Sequence, residues 1–213
     1  MTRSLFPVVL AALLAGPVSV RAGSVDIRIA DSHGAPAANT VVALTPLGGG
    51  AAPPSRLPSE AIIDQRKETF IPLVSIVRAG GRVIFTNHDT TMHQVYSFSP
   101  IKQFESEIDQ GQQSRPVVFE KPGVAAIGCN IHDQMITYVY VAASPWAALT
   151  DAQGHAEIAE IPAGRYRVDL WHPQLAPGEP PPSATLVVGG ATEFHTTLSL
   201  LPPPARHMHM GSY

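Results

Sequence analysis

Apolar and polar residues alternate with a period of two along much of this chain. Val25-Asp26-Ile27-Arg28-Ile29 alternates cleanly, as do Arg82-Val83-Ile84-Phe85-Thr86, Thr137-Tyr138-Val139-Tyr140-Val141 and Tyr166-Arg167-Val168-Asp169-Leu170. A period of two puts every second side chain on one face of a strand, and sustained 3.6-residue patterns are nearly absent. Gly, Pro, Asn and Asp clusters separate the runs. The pattern therefore predicts an all-β protein of short strands, arranged as a sandwich or barrel. One weak signal for a helical turn falls near Ser59 to Gln65.

Two Pro/Gly-rich stretches, Pro46 to Pro58 and Pro173 to Ser183, read as loops, and Pro202-Pro203-Pro204 opens a polar tail. Before the first loop, Val25 to Leu44 reads as strand, turn at Asp31-Ser32-His33-Gly34-Ala35-Pro36, and strand, and then runs out of partners. A continuation lies far downstream, in Ala147 to Ile158 with Thr150-Asp151-Ala152-Gln153-Gly154, followed by Ile161-Pro162-Ala163-Gly164-Arg165-Tyr166. Together these segments resemble the carboxypeptidase-regulatory and transthyretin-like (prealbumin-like) β-sandwich family. The resemblance implies one sandwich interrupted by another domain, because each half alone has too few strands to bury a face. Surface loops tolerate such insertions. The alternatives are a single inner domain with unstructured flanks, or two sequential domains.

Composition narrows the class. Twenty-one prolines and 17 glycines in 213 residues fit many turns, and a net charge of −3 offers no basic stripe for nucleic acid. The start reads as an export signal: Arg3, an apolar run from Leu5 to Ala15, Gly16-Pro17, then Val20-Arg21-Ala22. That run is only about half of the ~20 residues needed to span a membrane. The expected organisation is a signal peptide at 1–22, outer sandwich at 23–47 and 144–200, linker at 48–60, inner domain at 61–143 and a disordered tail at 201–213. The expected compartment is the periplasm.

Cys129 is the sole cysteine, so an oxidising compartment gives it nothing to pair with in the chain. It could be inert, link two chains, or bind metal. Its neighbours favour metal, because Cys129-Asn130-Ile131-His132-Asp133-Gln134-Met135 repeats a donor side chain every third residue. His93 lies upstream in Phe85-Thr86-Asn87-His88-Asp89-Thr90-Thr91-Met92-His93. Two imidazoles, a thiolate and a weak axial thioether form a blue-copper ligand set. Zinc, the main rival, rarely takes a thioether.

From Ile63 to Val141 the chain resembles the cupredoxin family, most closely its amicyanin- and pseudoazurin-like members. The resemblance rests on Phe70-x-Pro72, the strand and turn from Val77 to Val83, Asn87-x-Asp89-x-x-x-His93-x-Val95, Pro122-Gly123, and Cys129-x-x-His132-x-x-Met135. It implies a Greek-key β-sandwich holding one type 1 copper ion through His93, Cys129, His132 and Met135. It further implies that Asn87 ties the two ligand-bearing segments together and that His132 is the electron's exit. Three departures bear on redox potential and partner surface: Asp133-Gln134 before the methionine, Gly128 where an aromatic is frequent, and Ile136-Thr137 where a glycine is usual.

The remaining histidines read as structural or solvated: His88 in a loop, His33 and His155 in turns, His172 packed on Trp171, and His195 on the outer face of the last strand. His207, Met208, His209 and Met210 form a candidate weak copper-collecting tail. The function expected is a non-enzymatic electron carrier. Its redox partner would be a protein such as a periplasmic dehydrogenase or cytochrome, since proteins of this build resemble methylamine-utilisation proteins. The rival readings are a copper-delivery protein without an electron-transfer role and a metal-free structural sandwich.

Overall fold

The structure, a computed structural model, describes residues 22–48 and 53–202. The expected signal segment, apart from Ala22, and the tail residues His207, Met208, His209 and Met210 lie outside the described residues. No helix among the described residues is long and apolar enough to cross a membrane.

The protein is all-β. In chain order the strands are β1 (Gly23–Asp31), β2 (Val41–Pro46), β3 (Glu60–Gln65), β4 (Phe70–Ile71), β5 (Val74–Arg78), β6 (Gly81–Asn87), β7 (His93–Ser99) and β8 (Lys102–Ile108). They continue with β9 (Val117–Phe119), β10 (Gly123–Cys129), β11 (Ile136–Ala142), β12 (Ala147–Leu149), β13 (His155–Ile161), β14 (Gly164–Trp171), β15 (Ser183–Val188) and β16 (Ala191–Leu198). The stretch near Ser59 to Gln65 is not a helical turn. Its β-branched Ile62-Ile63 pair lies in β3, which runs parallel to β6 from Glu60↔Arg82 to Gln65↔Asn87. That pairing buries Ile63 and Gln65 on one face, as a period of two requires.

The four sheets enclose two principal cores. β13-β1-β16 faces β12-β2-β14-β15 across a core built from Ile27, Leu44, Ile158, Val168 and their neighbours. β4-β3-β6-β9 faces β5-β11-β10-β7-β8 across a second core containing Ile63, Phe85, Phe119, Ile127 and Val139. The early strands do not pair with each other. β1 lies between β13 and β16, while β2 lies between β12 and β14, so the first strands find their partners after residue 146. Where the two sandwiches meet, Trp171 packs against Tyr138 and Tyr140, with ring centroids 5.4 and 6.2 Å apart. Ala43, Ala142 and Ala147 form a small apolar cluster there with Ile76 and Leu57.

One turn type occurs twice. Asp31 Oδ1 accepts from the backbone N–H of His33 and Ala35, and Asp151 Oδ1 accepts from Gln153 and His155 in the same way. The glycine three residues after each aspartate, Gly34 and Gly154, takes the left-handed conformation with φ of 83° and 70°. His155 opens β13 rather than lying in the turn, and its Nε2 pairs with Asp26 at 2.8 Å because β1 brings Asp26 alongside. His172 is buried and held by hydrogen bonds, with Ala38 O 3.0 Å from Nε2 and the Gln174 N–H directed at Nδ1. The ring packing of Trp171 goes instead to the two tyrosines. His33 and His195 are exposed.

Candidate metal centre

Strand register brings the candidate ligands together. In β10 the residues Ala125, Ile127 and Cys129 point into the core, and Cys129 is 3% exposed. Cys129 sits opposite Val95 of the antiparallel β7. His93 is two residues from Val95 and so shares its inward face, where it is fully buried. Pairing continues one step past the strand, since Asn130 N–H donates to Gln94 O at 2.9 Å and the Asn130 amide donates to Gln94 Oε1 at 2.7 Å. This fixes the chain direction leaving Cys129. The next residues fold into a tight turn closed by Met135 N–H on His132 O at 3.0 Å.

Cys129 Sγ lies 3.6 Å from His93 Nδ1 and 4.0 Å from His132 Nδ1. All three ligand atoms fall within 4.8 Å of one another, and the two imidazole centroids are 5.0 Å apart. Met135 is 2% exposed and belongs to the same core as Cys129. His132 is the accessible member, its side chain 21% exposed.

Both imidazoles turn their far nitrogens to carboxylates. His93 Nε2 is 3.0 Å from Asp89 Oδ2, and His132 Nε2 is 3.6 Å from Glu68 Oε1. An Nε2–H that donates to Asp89 leaves a lone pair on His93 Nδ1, facing the sulfur. A sulfur and two imidazole nitrogens converging at a largely buried point fit a soft or borderline cation. Asp89 is itself held by the Lys67 N–H on Oδ1 and by the Glu68 N–H on Oδ2 at 2.9 Å. Burial works against its charge, but the bonds from Glu68, His93 and Lys67 outweigh it and hold the carboxyl below the usual carboxylate range.

Asn87 is buried and supports the site from the end of β6. Its amide donates to Thr91 O at 2.8 Å and Ile108 O at 2.9 Å, and its Oδ1 accepts from Asp89 N–H at 2.9 Å. These bonds shape the 87–93 segment and join it to β8; they do not run to the segment carrying Cys129, where the resemblance led us to expect them. The link between the two ligand segments is the β7–β10 pairing. Asp89 and Glu68 were absent from the expected site. Asp89-x-x-x-His93 was visible as a spacing, but Glu68 reaches His132 only through the folding of the β3–β4 turn, and no local pattern signals that.

No protein-family model matches the chain, and no curated protein matches it. Among solved structures, it is similar to a purple cupredoxin from Nitrosopumilus maritimus at 25% identity, over 38% of this chain and 99% of that one, with a TM-score of 0.36. Amicyanin from Paracoccus versutus matches at 17% identity over 46% of this chain and 97% of that one, with a TM-score of 0.36. A copper-containing nitrite reductase from Thermus scotoductus SA-01 matches at 23% identity over 46% of this chain, with a TM-score of 0.36, and the match spans 25% of the reductase.

Proposed function

We propose that this chain is an exported type 1 copper protein that carries single electrons between redox partners and performs no catalysis of its own. One copper ion would be held by His93, Cys129, His132 and Met135, and would supply a one-electron couple. The observation that carries this reading is the convergence of Cys129 Sγ with two imidazole Nδ1 atoms inside 4.8 Å.

The chain's own contribution is rigidity and access. Fast electron transfer needs a coordination that hardly changes between oxidation states, and close-packed cores resist displacement. Cys129, His93 and Met135 are all buried, which supports retention of the metal over its delivery to another protein. His132 is the route out, since it is partly exposed where His93 is sealed. The exposed apolar residues Met92, Ile131 and Ile136 adjoin the ligands in the chain and offer a contact surface for a redox protein such as a periplasmic dehydrogenase or cytochrome. In this reading residues 61–143 form the copper module, set into a loop of an outer sandwich made from 23–47 and 144–200.

Titration of the purified protein with Cu(II), followed by visible spectroscopy, tests the reading. Thiolate-to-copper charge transfer should give an intense colour that Cys129→Ser abolishes. A colourless Cu(II) complex would overturn it.

A further inference from the structure

The turn between β3 and β4 reaches His132 through the Glu68 side chain and His93 only by way of Asp89. Arg66 N–H closes it on Thr69 O at 3.0 Å, and its two central residues, Lys67 and Glu68, take φ of 52° and 53°. Neither is glycine, so the left-handed conformation carries a cost that something else must offset. It aims two successive backbone N–H groups at the carboxylate of Asp89, while the Glu68 side chain extends to His132 Nε2.

Asp89 is in an unusual position for a carboxylate. Its side chain is 12% exposed, and among the described residues its ion pairing is with His93, which is fully buried. A buried charge is tolerated when donors saturate it and a positive group balances it. Two backbone donors and one imidazole N–H provide the saturation. The balance would come from the other side of His93: a cation held at Nδ1 would draw electron density out of the ring and leave the Nε2–H more positive towards Asp89, a divalent cation more strongly than a monovalent one.

We propose that Asp89, held by the Lys67–Glu68 turn, is a positioning residue that fixes His93 with its proton on Nε2 and its lone pair on Nδ1, and that its fixed negative charge favours Cu(II) over Cu(I) at the site. This rests on the copper assignment above for the choice of metal. Hydrogen-bond partners behind metal-bound histidines commonly act in this way, and their loss weakens metal affinity about 10- to 100-fold.

The test has two arms. In the metal-free wild-type protein, ¹⁵N–¹H correlation of the imidazoles should place the His93 proton on Nε2; a proton on Nδ1 would overturn the proposal. In Asp89→Asn, the amide oxygen can still accept from Nε2–H while the charge is gone. Competition with chelators should then show Cu(II) bound about 10- to 100-fold more weakly, with a smaller loss for Cu(I) and a higher reduction potential. Equal losses for both ions, or no loss, would overturn the charge role. If Asp89→Asn does not fold, the wild-type arm still decides the tautomer, and Asp89→Ser, which keeps an oxygen acceptor without the charge, carries the comparison of Cu(II) with Cu(I). A colourless wild-type Cu(II) complex would instead sink the blue-copper reading, and the tautomer measurement would stand apart from it.

Discussion

Tyr96 fills the space beside Gly128: a Cβ at residue 128 would stand 3.0 Å from both the Cζ and the hydroxyl oxygen of the Tyr96 side chain. The two residues sit opposite each other across β7 and β10, one step from Cys129. Gly128, having no side chain, leaves room for the ring that the neighbouring strand provides. Gly128→Phe should therefore displace Tyr96 and destabilise by about 1–3 kcal/mol. Adding Tyr96→Ala should return part of that loss, with a coupling of about 0.5–3 kcal/mol in a double-mutant cycle read by urea unfolding. Strict additivity would show that the two side chains do not compete for one space.

Much of this arrangement was readable from spacing, because periods of two set strands and buried faces directly. Cys129 and His132, which the structure brings together, could be paired on spacing since one short segment carries both. What spacing could not supply was cross-strand company. Tyr96 beside Gly128 and Glu68 beside His132 both depend on the placement of segments far apart in sequence. At Ser59 to Gln65 the weak local signal for a helical turn yields to pairing with β6.

The repeated aspartate turns give a matched pair of glycines. Gly34 has nothing within 4 Å of a built Cβ, whereas a Cβ on Gly154 would stand 2.2 Å from Ile29 O. Both have positive φ, so both substitutions carry the left-handed cost, and only Gly154 meets backbone that cannot swing aside. Gly34→Ala should cost about 1–2 kcal/mol. Gly154→Ala should cost clearly more, because it must also move the stretch of β1 that bonds Ile29 N–H to Gly154 O at 2.8 Å. Thermal or urea unfolding of the pair checks the order, and equal costs would contradict the close approach.

His172 gives the fold a pH dependence of known sign. Burial pushes its pKa below the ordinary histidine value, and the bond to Ala38 opposes this without cancelling it. The unfolded chain then takes up the proton first. The stability contributed by neutral His172 is complete above about pH 6.5 and is lost as pH falls from there towards the depressed native value. Protonation would also turn Nδ1 from acceptor to donor against the Gln174 N–H. His172→Gln should lower stability at neutral pH by about 1–3 kcal/mol and flatten the decline seen in wild type between neutral and mildly acidic pH. Parallel slopes for the two proteins would mean that His172 does not titrate as argued.

Met135 separates a packing role from a ligand role. It is buried in the core that holds Cys129, so its removal would destabilise the protein whether or not its sulfur meets a metal. Leucine has nearly the same volume and no sulfur. Met135→Leu should hold stability within about 1.5 kcal/mol, as volume-conserving core exchanges do. If the thioether is a weak axial donor, the variant should still bind Cu(II) through Cys129, His93 and His132 and stay coloured. Its reduction potential should rise and its absorption bands should shift, because the axial ligand tunes both without carrying most of the binding. A potential and spectrum identical to wild type would assign Met135 to the core alone and leave a three-donor site.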